Sequence, residues 1–127
     1  MSVSKDIQIL VVEDNEKIRK LLCNLLTNVG FVNIDEAGNG IEAWETLTQK
    51  KVELMLTDWM MPEMNGLELL KKVRTSSENF KNIPIMMITA SDKTENIVEA
   101  GKWNLNGYIV KPFSVKTVLS KIEEALR

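Results

Sequence analysis

Three carboxylates, a lysine and a threonine stand at the ends of short apolar runs in this chain. Glu13 and Asp14 follow Ile7-Gln-Ile-Leu-Val-Val12, and Asp58 closes a run that begins at Leu54. Thr89 ends Ile83-Pro-Ile-Met-Met-Ile-Thr89, and Lys111 follows Tyr108-Ile-Val110. Taken singly, each has a plain explanation: Glu13-Asp14 as a helix-capping pair, Asp58 as a loop-opening residue, Thr89 as a strand end, Lys111 as a solvated surface lysine. Gathered in one crevice they would do chemistry. Two carboxylates ~4 Å apart repel by about 4 kcal/mol at an effective dielectric of 20, so such a group calls for positive charge. The chain has no histidine, and its one cysteine, Cys23, is remote in sequence from Asp58. Oxygen ligands alone favour a hard ion such as Mg²⁺ over zinc. Lys111 would bring a second positive charge. That set suits phosphoryl transfer onto a carboxylate, with Asp58 as nucleophile and Lys111 pairing with a phosphate oxygen.

The elements that must position these residues follow from periodicity. Ile9 to Val12 are continuously apolar, as in a strand covered on both faces. Ile18, Leu21, Leu22, Leu25, Leu26 and Val29 recur at helical spacing, capped by Asp14 or Asn15 and stopped by Gly30. Cys23 falls off that stripe and has no assigned role. Phe31-Val-Asn-Ile34 reads as a shorter strand; Asn39 with Glu42 resembles a capping box, followed by Ile41, Trp44 and Leu47 on a helix. The run from Leu54 is the third strand, and Pro62 and Gly66 punctuate the loop after Asp58. Leu67, Leu70 and Val73 mark a third helix, with Glu68 and Lys72 spaced as an i,i+4 pair. Thr75 to Lys81 is a polar loop. Ile83 to Thr89 is the fourth strand, 93–102 a weakly patterned helix, and Tyr108 to Val110 the fifth strand. Ser114 caps a last helix carrying Val115, Val118, Leu119, Ile122 and Leu126.

Strands alternating with helices require right-handed crossovers, hence a parallel sheet with helices on both faces. The expected fold is α/β and flavodoxin-like: a (βα)5 doubly wound parallel sheet with strand order 2-1-3-4-5. Its crevice lies at the carboxyl ends of strands one and three. There Glu13, Asp14 and Asp58 converge, with Thr89 and Lys111 on the same edge.

Composition narrows the function classes. The chain has 127 residues, 44% of them hydrophobic, which suits one domain with a proper core. A net charge of −2 gives no basic footprint for nucleic acid. No apolar run approaches the ~20 residues that span a bilayer, and residues 1–6 lack the apolar segment of a signal peptide. A lone cysteine fits a reducing, cytoplasmic setting. The absence of histidine removes His-based triads, His metal sites and any phosphohistidine of the chain's own.

Val11-Val-Glu-Asp14, Thr57-Asp-Trp-Met-Met-Pro62 with Gly66, Ile88-Thr-Ala90 and Gly107-Tyr-Ile-Val-Lys-Pro-Phe113 form an ordered set. By that set the chain resembles the receiver domain of two-component response regulators over residues 1–127, a single domain. It is similar above all to the single-domain chemotaxis regulators of the family. The resemblance implies that Asp58 is the phosphoacceptor and Asp14 a direct Mg²⁺ ligand. Glu13 would act through a metal-bound water, and the Met60 backbone carbonyl would complete the protein ligands. Lys111 matches the phosphate-pairing lysine, usually followed by a cis peptide, and Thr89 and Tyr108 match the switch pair. The implied partners are a histidine kinase as donor and a flagellar motor switch protein or histidine phosphotransfer protein as target, with a phosphatase in some systems. The expected protein is a cytoplasmic monomer that acts through protein contact, on a face of the fourth helix, fifth strand and last helix.

The chain departs from the family pattern in places. Glu13 replaces the more usual Asp. Met60 stands where the chemotaxis regulators carry Asn, two residues after Asp58, a position that influences hydrolytic water. Trp103-Asn104 replaces Ala-Gly; Asn104 suits the left-handed conformation of a helix end, while Trp103 reads as a core ring or as an exposed anchor. The seven methionines read as gap fillers or as an adaptable surface. Three alternatives remain. One is a phosphorelay intermediate or phosphate sink. The second is a Mg²⁺-dependent aspartyl phosphatase, disfavoured because Met60 stands where that class needs a second Asp. The third, a flavin carrier, is disfavoured by the acidic Glu13-Asp14-Asn15-Glu16 loop.

Overall fold

The computed structural model describes residues 3–90 and 94–126. Along them run β1 Gln8–Val12, α1 Glu16–Asn28, β2 Asn33–Ala37, α2 Gly40–Gln49, β3 Leu54–Asp58, α3 Gly66–Thr75, β4 Ile85–Thr89, α4 Thr94–Gly101, β5 Gly107–Val110 and α5 Val115–Ala125. The strands pair in parallel in the order β2-β1-β3-β4-β5, the expected doubly wound topology. Lys93, the first residue of the helix expected over 93–102, lies outside the described residues.

Strand alternation divides the core in two. Leu10, Val12, Met55, Ile85 and Met87 face one way, onto Ala43 and Leu47 of α2, Leu69, Leu70 and Val73 of α3, and Ala100 of α4. Ile9, Val11, Leu54, Leu56, Met86, Ile88 and Ile109 face the other way, onto Leu22, Cys23 and Leu26 of α1 and Val118 and Ile122 of α5. Each large side chain so buried contributes roughly 1.5–3 kcal/mol. The continuous apolar runs of β1 and β3 are therefore the signature of strands covered on both faces.

Several sequence expectations are corrected. The inward face of α1 is rotated from the expected stripe: Leu21 is exposed, whereas Cys23 is buried beside Leu22 and Leu26. Burial pushes the Cys23 thiol up to about 11. The second strand begins at Asn33 rather than Phe31 and runs through Asp35 and Glu36, because an edge strand needs only one apolar-facing side. Phe31 is instead a buried plug ahead of it. On α2, Ile41 faces solvent, and Trp44 is half-buried, meeting Phe80 edge-on at 5.2 Å. Phe80 is a buried residue within the otherwise polar 75–81 loop.

Capping is only partly as expected. Asn39 accepts the Glu42 N–H, but Glu42 accepts in return from the Gly38 N–H and from Asn39 Nδ2 rather than from the Asn39 backbone N–H that a capping box requires. The complete capping box lies at α3, between Asn65 and Glu68. Glu68 is thereby engaged at the helix start, and Lys72, its expected i,i+4 partner, lies over the Trp44 ring at 4.4 Å. Asn15 caps α1 by accepting the Ile18 N–H, and Ser114 caps α5 through the Thr117 N–H.

Trp103 packs half-buried against the core, with Lys71 Nζ 5.7 Å from its ring centre. Asn104 has the left-handed φ of 59° expected of it. Beside them, Arg74 at the end of α3 donates to the carbonyls of Lys81, Ile83, Trp103 and Asn104 and to Asn106 Oδ1. Met55, Met86 and Met87 are fully buried, while Met60 is 73% exposed, so the methionines serve more than one purpose.

Candidate functional site

Each strand that borders the crevice ends on, or is followed directly by, a polar residue, and backbone hydrogen bonds hold these strand ends in place. The Glu13 N–H donates to Ala37 O at 3.1 Å, extending the β1–β2 ladder by one residue. At the end of β3, Trp59 N–H donates to Ile88 O (2.9 Å) and Gly66 N–H to Trp59 O (2.8 Å), which closes the 59–66 loop on itself. Gly66 has no substitute in that closure: a Cβ there would stand 2.5 Å from Asp58 O and 2.8 Å from Met87 Sδ. At the end of β5, Lys111 N–H donates to Thr89 O at 2.7 Å, and the Lys111–Pro112 bond is cis.

These backbones bring the side chains together. One carboxylate oxygen from each of Glu13, Asp14 and Asp58 lies within 4.8 Å of the others. Glu13 and Asp58 are buried and Asp14 is exposed at the rim. Lys111 Nζ reaches in to 3.2 Å from Asp58 Oδ1 and 3.5 Å from Glu13 Oε1. Glu13 Oε2 accepts the Asn15 N–H at 3.1 Å. Burial pushes the Glu13 carboxyl up to about 7; the adjacent Asp14 and Asp58 carboxylates push the same way, while the Asn15 N–H and Lys111 oppose them. A proton on Glu13 is the alternative to a cation for relieving this crowding.

The donor set fits a hard divalent ion. Its side-chain donors are all carboxylate oxygens, clustered on one crevice, with one exposed member through which an ion and its waters can enter. The structure thus brings together Glu13, Asp14, Asp58 and Lys111. Thr89 ends β4, the neighbour of β3, and is half-buried. Tyr108 pairs with Met87 across β4–β5, so it lies on the same sheet face as Thr89, one row further from the crevice. The Tyr108 ring is half-buried, with Lys121 Nζ 5.8 Å from its centre. The Met60 side chain points to solvent.

Arg19 was missed in the sequence. Its Nη1 donates to the Glu13 carbonyl at 2.8 Å and its Nε to Glu36 Oε1 at 2.9 Å. The available signal was spacing, since Arg19 precedes Leu22 and Cys23 by three and four residues and shares their buried side of α1.

A family model described as the response regulator receiver domain matches residues 9–123. The chain belongs to the response regulator receiver family. The receiver is 41% identical over 122 residues to chemotaxis protein CheY-3 of Vibrio cholerae, covering 96% of this chain and 93% of that one. It is 43% identical over 120 residues to chemotaxis protein CheY1 of Helicobacter pylori, covering 94% and 96% of the two. Among solved structures, chemotaxis protein CheY4 of Vibrio cholerae superposes with a TM-score of 0.88 at 30% identity, over 95% of the receiver and 99% of that chain.

Proposed function

We propose that this receiver, one domain over residues 1–127, accepts a phosphoryl group on Asp58 from a histidine kinase and signals by protein contact in chemotaxis. The observation that carries the reading is Lys111 Nζ, 3.2 Å from Asp58 and 3.5 Å from Glu13, inside a crevice of three clustered carboxylates. Relatives over 40% identical across nearly the whole chain, named as chemotaxis proteins, support the motility setting.

Asp58 is the nucleophile. One of its carboxylate oxygens attacks phosphorus, the P–O bond forms as the donor's P–N bond breaks, and the imidazole leaves with that bond's electron pair. Glu13 (through water), Asp14, Asp58 and the Met60 backbone carbonyl are the proposed holders of Mg²⁺, which when bound neutralises charge on the phosphoryl oxygens. Lys111 exchanges its contact with the free Asp58 carboxylate for one with a phosphoryl oxygen, so its charge is matched in both states. Burial of Asp58 and Glu13 keeps these interactions in a low-dielectric pocket, where each counts for more than in water. The Thr89 hydroxyl is drawn toward the new charge, and Tyr108, one row below on the same face, takes up the space so opened. The chain is in this reading a cytoplasmic, monomeric signalling protein that catalyses only its own phosphorylation and dephosphorylation. Its target is a flagellar motor switch protein.

The test is incubation with Mg²⁺ and acetyl phosphate, read by intact mass. Wild type is expected to gain one phosphoryl adduct, lost when EDTA is present throughout, and Asp58→Asn none. Labelling that persists in Asp58→Asn refutes the acceptor assignment. Capture of purified motor switch protein only by the phosphorylated form supports the output; capture of a histidine phosphotransfer protein instead makes the chain a relay intermediate.

A further inference from the structure

We propose that Arg19 is a positioning residue for the cation site, a strut that runs from β2 to the Glu13–Asp14 turn and sets where Asp14 points. The proposal rests on the reading of Glu13, Asp14 and Asp58 as cation ligands.

Asp14 is exposed, so packing does not fix its direction; apart from its contact with the Glu13 carboxyl, the backbone it stands on must. That backbone is the peptide joining Glu13 to Asp14, whose carbonyl oxygen accepts from Arg19 Nη1 at 2.8 Å. The same guanidinium donates through Nε to Glu36 Oε1 at 2.9 Å, and Lys20 Nζ holds the other Glu36 oxygen at 2.8 Å. The strut is thus anchored on β2 at one end and on the turn at the other. Only 17% of the Arg19 side chain is exposed. Its Nη1 passes close to Gly38, where an added Cβ would stand 3.5 Å away. A peptide is planar, so fixing the Glu13 carbonyl also fixes the Asp14 N–H and Cα. Glu13 is secured independently, by its own N–H on Ala37 O and by the Asn15 N–H on its side chain. Arg19 therefore completes the turn rather than duplicating a restraint.

The two effects of Arg19 on a bound cation have opposite signs. Its charge repels a cation, and its geometry gathers the ligands. A planar fork can serve two acceptors in fixed directions, which an ammonium cannot. Arg19→Lys keeps the charge and loses the fork, and so isolates the geometric effect.

The probe is Mn²⁺, titrated into the phosphate-free full chain, with free ion counted by electron paramagnetic resonance. Arg19→Lys is expected to weaken Mn²⁺ binding about tenfold, the scale seen when outer partners of metal ligands are removed. Arg19→Gln is expected to weaken it less, because loss of the positive charge opposes the loss of geometry. Glu36→Ala, which removes the far anchor and leaves Arg19 in place, is expected to weaken binding in wild type but to add little in Arg19→Lys. It also keeps the proposal open to refutation should an Arg19 variant fold poorly. Arg19→Lys binding as tightly as wild type while melting at a lower temperature makes the residue merely structural and overturns the proposal. Tighter binding by Arg19→Gln combined with unchanged binding by Arg19→Lys also overturns it, in favour of charge alone. Asp14→Asn is the control on the site itself. If wild type binds no Mn²⁺, or binds it no better than Asp14→Asn, the cation-site reading fails and this proposal with it.

Discussion

Removing Arg74 tests how much of the fold depends on one guanidinium. Five neutral oxygens surround it: the carbonyls of Trp103 (3.0 Å), Lys81 (2.8 Å), Ile83 (2.9 Å) and Asn104 (3.0 Å), and Asn106 Oδ1 (3.1 Å). Burial holds the Arg74 pKa below its usual value. Bonds from a charged donor are worth about 1.5–3 kcal/mol each before the ion's desolvation is counted, and that cost is several kcal/mol. In Arg74→Met the exposed Lys81 and Asn104 carbonyls can turn to water. The part-buried Trp103 and Ile83 carbonyls lose their partner at about 1–3 kcal/mol each. The thioether restores some apolar packing, which leaves a net loss of about 2–4 kcal/mol. Against a typical total of about 5–15 kcal/mol this is a large fraction. In urea the midpoint is expected to fall with the slope unchanged, and the melting temperature to drop by about 10 °C. Arg74→Lys should fall between the two, nearer to Met, since three ammonium protons cannot span five acceptors. A loss below about 0.5 kcal/mol in Arg74→Met, the level of an ordinary surface change, would refute the reasoning.

Gly66→Ala is expected to cost about 1–3 kcal/mol by overpacking, since its Cβ would meet backbone at Asp58 O; denaturant titration checks it, and acetyl phosphate labelling should slow as the 59–66 loop is displaced. Glu36 is held below the usual carboxylate range chiefly by the Lys20 hydrogen bond, with Arg19 adding to it. Its contribution is therefore present above its unfolded pKa and fades as pH falls through its folded pKa. Because the pair is partly solvated, Glu36→Gln should cost only a few tenths of a kcal/mol at pH 7, a cost that melting curves should show vanishing as pH falls below the folded Glu36 pKa. Met60→Asn is expected to leave stability within about 0.5 kcal/mol, as at other exposed positions. Decay of the labelled adduct, followed by intact mass, should nevertheless change, and an unchanged half-life would remove Met60 from any part in water access.

The strand ends were legible in the sequence because β1 and β3 are covered on both faces, and a polar residue closing such a run stands out. Glu13, Asp14, Asp58 and Lys111 were grouped from those ends alone, and the crevice contains that group. β2 was misplaced because an edge strand carries its apolar signal on one side only: Asn33, Asp35 and Glu36 lie within it, while Phe31 just before it is the better buried residue. The face of α1 was drawn through Leu21 rather than Cys23 because leucine outweighs cysteine in any apolar count. Arg19 and Arg74 escaped notice for a different reason. Their acceptors include main-chain carbonyls, which every residue carries, so no side-chain pattern names the partner; for Arg19, helical spacing to Leu22 and Cys23 marks only the side of α1 it occupies. The Glu68–Lys72 pair failed because both partners had better offers nearby, one at the helix start and one on an indole ring.

Cys23 gives the protein a built-in unfolding clock. Its thiol is buried against the β1 side of the sheet, and at a pKa of about 11 almost none of it is thiolate at neutral pH. Modification by a thiol reagent should therefore be slow while α1 is packed and speed up whenever it lifts away, so the labelling rate reports on that opening. Ligands that tighten the domain should slow the clock. A cysteine introduced on the surface would react far faster by comparison, so probes can be placed one at a time without removing the native residue.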